Sequence, residues 1–438
     1  MLKTLQNAFK VKDVRHRIFY VLMMLVVIRI GSQLPVPGVD GSYFKTWFES
    51  QTGDAFNFLD AFTGGSFSQM SIFALSITPY ITSSIIIQLL TIAIPKLEEM
   101  QRDGEDGRKK LGAITRYVTI GLSLFESIAM AIGFGNKGLI PDNSFVKMVV
   151  VVVALTAGSA FLMWVGEQIN EKGVGNGISI VLLINIVSRI PSDMTKLYES
   201  FMKGKIIAKA LLSGVIIAAI IVGVVILVII LNGAERRIPV QYSKKMQGRK
   251  MMGGQSSHIP LKVNTAGVIP VIFASSIMSF PSVIASFLGK TGGTGIGGKI
   301  LAGMNSNNWF DLEHPWYSIG LVAYIVMVIF FAYFYTSITF NPLEVADNMK
   351  RQGGFIPGIR PGKPTVEYLT KILNYIIFVG ACGLVLIQLV PIIFNGWLGA
   401  SVSFGGTSLI IIVSVILETL KQIESQMLVR NYKGFLNK

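Results

Sequence analysis

The sequence predicts an all-α, polytopic membrane protein, and three observations support this fold class. Apolar residues make up 51% of the 438 residues, and Asp, Glu, Lys and Arg only 14%, against about 25% in an average soluble domain. The mean hydropathy is +0.59. The apolar residues also form continuous runs of roughly 20, the length of a spanning helix. A membrane β-barrel would instead show alternating segments of about ten residues.

The N-terminal region is predicted to be the first spanning helix rather than a cleaved signal peptide. Five basic residues precede an apolar run from Ile18 to Leu34. The run contains Arg29 and ends at Pro35 without a small-x-small cleavage site. Arg29 lies near the outer end of this helix, where a long basic side chain can reach the membrane surface.

Ten runs of this kind are predicted to span the membrane: 17–35, 71–94, 113–134, 145–166, 178–196, 206–231, 261–288, 317–340, 369–394 and 404–424. Arg189 and Pro191 interrupt the fifth run. Pro79 in the second run, with Pro270 and Pro281 in the seventh, predicts broken helices, because a proline inside a helix removes a hydrogen bond. Broken helices often mark a transport pathway, although a simple packing kink is the alternative.

Basic residues predict the orientation, because cytoplasmic loops of membrane proteins carry excess Lys and Arg. With the N-terminus inside, 28 of the 39 Lys and Arg lie in inner segments and ten in outer segments. This predicts cytoplasmic termini and an even number of spans. Two inner loops, 232–260 and 341–366, are long as well as basic, and the second is rich in Gly and Pro. Such surfaces attract acidic or phosphate-bearing partners, although topology alone explains part of the charge.

Two features inside the predicted membrane region depart from a plain bundle. Segment 57–70 is apolar but too short to span, which predicts a re-entrant or interfacial segment. Glu126 lies deep in the third span and needs a partner, a proton or water. Polar candidates on other spans are Thr82, Gln88 and Asn264, and such contacts suit a seam that opens. A static interhelical hydrogen bond is the alternative.

The sequence contains no enzymatic signature. The single cysteine, Cys382, excludes an internal disulfide and a cysteine metal cluster, and the three histidines form no ligand-spaced pair. We therefore expect no catalysis, no metal and no cofactor. A secondary transporter of small solutes is the rival class, since broken helices and two halves also fit it. The shortage of intramembrane charges and of a convergent polar site argues against it.

Several short segments carry a resemblance to a known family. They include RIG at 29–31, PVPGVD at 35–40, GNGISI at 175–180, AGVIP at 266–270 and FGGTS at 404–408, with further matches at 71–88, 161–169 and 341–348. In this order and spacing, the chain resembles the SecY/Sec61-alpha family over essentially its whole length. The resemblance implies ten helices in two pseudo-symmetric halves, 1–196 and 206–438, around an hourglass pore.

The resemblance also implies site residues. An aliphatic pore ring, which would gate by dewetting, falls on Ile77, Ile81, Ile178, Leu182, Ile272 and Ile411. A plug helix falls on 57–70, with Phe58, Leu59, Phe62, Gly64 and Gly65. A lateral gate lies between the second and seventh spans, with the polar positions Thr82, Gln88, Glu126 and Asn264. Glu126 departs from relatives that carry Gln there.

The function and partners implied by the resemblance are those of a protein-conducting channel. It would pass unfolded polypeptides across the bacterial plasma membrane and release hydrophobic segments laterally into lipid. The implied partners are the SecE and SecG subunits, the SecA motor ATPase, the ribosome, signal sequences, unfolded preproteins and membrane lipid, but not DNA. Docking of the motor or ribosome falls on basic loop residues: Arg236, Arg237, Arg249, Lys250 and Arg360.

Overall fold

The structure is a computed structural model and describes residues 6, 8–41, 43–44, 46, 60, 62–135, 144–203, 207–242, 245–247, 250–252, 256–287, 296–305, 308–309, 315–398 and 406–436. The helices before residue 204 are α1 (Lys12–Gly31), α2 (Thr78–Ala93), α3 (Pro95–Arg102), α4 (Glu105–Gly135), α5 (Phe145–Lys172) and α6 (Gly177–Phe201). The later ones are α7 (Ile207–Gly233), α8 (Ile269–Phe287), α9 (Ile296–Gly303), α10 (Ser318–Thr339), α11 (Pro342–Arg351), α12 (Lys363–Leu398) and α13 (Gly406–Leu436).

Each of the ten predicted spans overlaps one of these helices, so the helical membrane fold is confirmed. Within the described residues, six helical segments are long and apolar enough to cross a membrane: Glu105–Gly135, Phe145–Lys172, Gly177–Glu199, Leu211–Gly233, Pro315–Arg351 and Lys363–Val390. A seventh is counted if α2 and α3, which meet at a bend of 108°, form one broken span. The protein is therefore a multi-pass membrane protein.

The second and seventh helices begin later than predicted, which corrects the role of two prolines. Residues 71–77 form turns before α2, and a strand and turns precede α8. Pro79 and Pro270 consequently lie in the first turns of α2 and α8 and are not central breaks. Proline is favoured in a first helical turn, because the backbone N–H there has no partner inside the helix. Pro281 does lie inside α8, and α6 continues through Pro191.

The two long basic loops join into one folded unit, which the sequence analysis did not predict. Strands β1 (Glu235–Tyr242), β4 (Ser256–Lys262) and β5 (Gly354–Phe355) form an antiparallel sheet in the order β4-β1-β5. Between β1 and β4, strands β2 (Lys245–Gln247) and β3 (Lys250–Met252) form a hairpin. The unit has its own apolar core, made of residues from both loops and from α12: Ile238, Val240, Leu261, Ala346, Met349, Ile356 and Leu369.

Three large apolar clusters, with two smaller ones, hold the described membrane region together. One joins the segment after α1 to α4 and α5, and a second joins α7, α8, α10, α12 and α13. The third contains residues from α1, α5 and α6 together with Ile272 of α8 and Ile411 of α13. This central cluster combines residues from both halves of the chain. A pore constriction between the two halves is therefore expected here.

Candidate functional site

The six residues expected to form the pore ring all lie in the central cluster. Ile77, Leu182 and Ile411 are almost fully buried, with 0%, 5% and 2% of their surface exposed. Ile81, Ile178 and Ile272 are partly buried and pack against them. The structure therefore brings together side chains that are up to several hundred residues apart in sequence.

The local structure explains how these residues meet. Ile77 immediately precedes α2 and Ile272 lies in the first turn of α8, while Ile178 and Leu182 are four residues apart on α6 and share a face. Gly166 on α5 lies next to two of them, at a distance where an added Cβ would make only ordinary van der Waals contact. A Cβ added there would lie 3.6 Å from both Ile77 Cδ1 and Ile178 Cγ1. The side chains of the six residues are all aliphatic and carry no polar atom.

The expected plug segment is described from Asp60 and from Phe62 onward, and Phe58 and Leu59 lie outside the described residues. Phe62 packs into the central cluster with the ring residues. Gly64 and Gly65 have positive φ values of 68° and 86°, which glycine adopts without strain. A Cβ on Gly64 would lie 2.8 Å from the Asn185 Cα. Glycine therefore lets this segment approach α6 closely.

Polar groups also tie the plug segment to α6 and α1. The Asn185 side chain donates to the Phe62 carbonyl at 3.3 Å and to Ser76 Oγ at 3.0 Å. The Gly64 carbonyl accepts from Ser188 Oγ at 3.3 Å and from the Arg29 guanidinium at 3.5 Å. Arg29 therefore turns toward the plug segment instead of reaching only for the membrane surface.

An ion pair between Asp60 and Arg189 completes these contacts. This arrangement was not predicted from the sequence, in which Arg189 interrupts the fifth predicted span. A signal was present in the spacing of Asn185, Ser188 and Arg189, because residues three and four apart share one helix face. Their partners in the plug segment, however, could not be read from that spacing.

The expected polar positions of the lateral gate are not joined to one another in the structure. Thr82 Oγ1 donates to the Thr78 carbonyl of its own helix at 3.1 Å. Asn264 lies in the turn before α8 and donates to Asn232 Oδ1 at 2.8 Å, and Asn232 in turn donates to Ser414 Oγ at 2.7 Å. In the part of the chain that the structure describes, no hydrogen bond links Thr82, Gln88, Glu126 and Asn264. The polar neighbours expected for Glu126 are therefore not hydrogen-bonded to it.

The helices expected to form the gate are bridged by a third helix. α4 packs against both α2 and α8. Ile85 of α2 also packs against the cluster that contains Val271, Phe273 and Ala274 of α8. The contacts that Ile85 makes toward α8 are thus apolar, and Glu126 lies partly buried on the bridging helix.

The expected docking residues lie on the folded loop unit. Arg236, Arg237 and Arg360 are exposed. Arg237 Nε donates to Glu235 Oε1 at 2.8 Å, and this hydrogen bond lowers the pKa of the Glu235 carboxyl below its ordinary value. Lys250 lies in β3, and Arg249 is outside the described residues. Because β5 pairs with β1, the loops that carry Arg236 and Arg360 belong to one folded unit.

The described residues contain no group of three His, Cys, Asp or Glu side chains that could hold a metal ion. What the described residues do contain is a multi-pass helical bundle, a central aliphatic cluster that combines residues from both halves of the chain, and a short segment packed against that cluster. These features define the class of a gated membrane channel.

Comparisons with known proteins identify the family. The SecY family model matches residues 71–420. The chain is 45% identical over 449 residues to the protein translocase subunit SecY of Bacillus subtilis, and 44% identical over 443 residues to that of Halalkalibacterium halodurans. Both alignments cover 100% of this chain and 100% of the relative. The chain belongs to the SecY family.

Solved structures share the fold. A protein-conducting channel matches with a TM-score of 0.61 at 16% identity, and covers 94% of this chain and 92% of its own. Sec61 of the canine ribosome–channel complex from the endoplasmic reticulum matches with a TM-score of 0.59 at 15% identity, with the same coverage. The likeness at such low identity concerns the fold alone.

Proposed function

We propose that this chain is the protein-conducting channel of the bacterial plasma membrane, which passes unfolded polypeptides across and releases hydrophobic segments sideways into lipid. The observation that carries the proposal is the meeting of Ile77, Ile81, Ile178, Leu182, Ile272 and Ile411 in one cluster with Phe62. An aliphatic constriction excludes ions by dewetting and yields to a moving chain without binding it. The chain is a channel and not an enzyme.

In the proposed resting state, the plug occupies the channel beside the ring. Phe62 fills the space against the aliphatic side chains, while Gly64 brings the backbone close to α6. A solved SecY protein, 17% identical with a TM-score of 0.61, has a plug domain that stabilises the closed state and maintains a membrane seal. Opening is a shift in the populations of the closed and open states. Each partner shifts this equilibrium only by the difference between its affinities for the two states.

The proposed halves are 1–196 and 206–438, with the plug at 57–70, the cytosolic loops at 232–260 and 341–366, and both termini in the cytoplasm. The apolar clusters support this division, since most residues of each cluster come from one half. Thr82, Gln88, Glu126 and Asn264 line the proposed lateral gate between α2 and α8. Parting of this seam would give signal sequences and membrane segments access to lipid.

Energy for transport comes from partners in this proposal, because the channel has no reaction of its own. We expect complexes with SecE and SecG, and docking of SecA or the ribosome on the basic surface that carries Arg236, Arg237, Arg249, Lys250 and Arg360. Two observations support docking. Sec61 and yeast Ssh1, which share this fold, are known in ribosome complexes, and the loop unit presents exposed arginines on a folded core.

Arg360→Glu is expected to reduce motor-driven transport at least about tenfold, because a reversed charge would repel an acidic partner surface. The measurement is protease protection of a signal-bearing, unfolded polypeptide in vesicles that contain the channel, its partner subunits and the motor ATPase. Lys299→Glu is the matched control, since Lys299 is exposed on the predicted outer side. Equal transport by Arg360→Glu and wild type would refute the docking role. Failure of wild type to protect any polypeptide would refute the channel function itself.

A further inference from the structure

A buried cluster of charges connects the plug segment to α6. Asp60 and Asp193 are only 1% and 2% exposed. Arg189 forms an ion pair with Asp60, and Asp193, one helical turn further along α6, also acts electrostatically on the Arg189 guanidinium. Buried charges of this kind are stable only when paired, so removal of one partner leaves an uncompensated charge.

The Asp60 carboxylate also organises the plug segment internally. Its Oδ1 atom accepts a hydrogen bond from the Ser68 backbone N–H at 2.8 Å. The Asp60 carbonyl accepts from the Gly65 N–H at 3.2 Å and from Thr63 Oγ1 at 3.2 Å. Arg189 therefore binds a turn that its own hydrogen bonds already hold together. The ion pair consequently restrains the whole turn and not only the Asp60 side chain.

Neighbouring residues on the same face of α6 hold the backbone of this turn. Asn185 donates to the Phe62 carbonyl and Ser188 to the Gly64 carbonyl. These two residues and Arg189 are three and four positions apart, so one helix face supplies an amide, a hydroxyl and a guanidinium to a single segment. Gly64 is the point of closest approach, where a Cβ would lie 2.9 Å from Ser188 Oγ.

We propose that Asn185, Ser188 and Arg189 form a polar latch that holds the plug in its seated position through Phe62, Gly64 and Asp60. The inference rests on the proposed channel function and assigns the residues that set its resting state. Release of the plug separates Asp60 from Arg189. Asp193 then continues to compensate the guanidinium, so that Arg189 is not left as a lone buried charge. Arg189 acts as a positioning residue, since its contact is with Asp60 of the plug segment.

A double-mutant cycle tests the latch. Asp60→Asn and Arg189→Met should each raise the resting ion conductance of the channel in planar bilayers at least about tenfold. The double variant should be no leakier than the single ones, because both remove the same interaction. The matched control is the exposed pair formed by Glu199, in the last turn of α6, and Lys203, just beyond the end of α6, with a separation of 3.2 Å. Lys203→Met should leave conductance unchanged.

Replacing the Asp60–Arg189 ion pair by a covalent crosslink tests whether the leak comes from loss of the latch or from a general effect on folding. In a Cys382→Ser background, Asp60→Cys with Arg189→Cys should leak. A short, reducible bifunctional thiol reagent should restore the low resting conductance, and reduction should reopen the channel. Leak that the crosslink does not reverse would overturn the latch, as would additive effects in the double-mutant cycle.

Single glycine-to-alanine substitutions in the plug segment test the same latch if the Arg189 variants do not fold. Gly64→Ala should raise the conductance more than Gly65→Ala, because both positions have positive φ but only Gly64 meets α6, and a Cβ on Gly65 contacts nothing within 4 Å. Equal effects of the two alanines would contradict the close latch contact. If polar substitutions in the ring raise the conductance but the latch variants do not, the proposed latch is refuted and the proposed channel function is retained. If neither set changes conductance, the proposed function fails as well.

Discussion

Replacing Ile81 and Ile411 together by asparagine is expected to raise the resting ion conductance in planar bilayers at least about tenfold. Both side chains belong to the aliphatic cluster that closes the proposed pore. An apolar constriction excludes ions because water is unstable inside it, and polar side chains would stabilise a hydrated path. A tenfold change corresponds to about 1.4 kcal/mol in the equilibrium between closed and conducting states.

Two control variants separate the ring effect from a general effect of new polar groups. Ile81→Leu with Ile411→Leu keeps the volume and apolarity and should leave conductance near wild type. Ile216 and Ile226 are 47% and 50% exposed on α7, so asparagine there should not open a path. A folded asparagine ring variant with wild-type conductance would contradict the assignment of the ring.

Locking the proposed lateral gate is expected to abolish polypeptide transport. In a Cys382→Ser background, cysteines at Thr82 and Asn264 would be joined by a short thiol reagent, which ties the α2 side of the seam to the turn before α8. Transport is measured by protease protection before and after crosslinking. Transport should fall to background because α2 and α8 cannot separate, and full activity of the locked channel would refute the gate.

The structure supplies a matched control for the gate lock. Asn264 and Asn232 are hydrogen-bonded at 2.8 Å, and both belong to the proposed C-terminal half. A crosslink between Asn232→Cys and Asn264→Cys should therefore leave transport largely intact. It carries the same change at Asn264 and the same chemistry, but it does not cross the seam.

Hydropathy predicted the ten spans because a bilayer demands long apolar runs, and each run overlaps a helix. The helix starts at Thr78 and Ile269 were missed because the turns that precede them carry no charge and adjoin the apolar runs directly. Proline is compatible with either a first turn or a kink. Composition could not distinguish the two for Pro79 and Pro270.

The sheet formed by β4, β1 and β5 was missed because its strands lie in charged loops and one of them is very short. β1 does alternate between exposed and buried residues around Ile238 and Val240, but its partner β5 has only two residues. The central cluster and the plug contacts depend on tertiary folding. Phe62 and Asn185, for example, are 123 residues apart. The family resemblance supplied the ring residues, whereas Asp60, Asn185, Ser188 and Arg189 required the structure.

The most direct test of the central claim is site-specific photocrosslinking to a polypeptide arrested during transport. A photoreactive side chain would replace Ile81, Leu182 or Ile411 in turn, and Ile216 or Ile226 in the controls. The proposed path predicts crosslinks between the arrested chain and all three ring positions, with none at the outward-facing controls. Crosslinks absent from the ring, or equally strong at the control positions, would contradict a polypeptide path through this constriction.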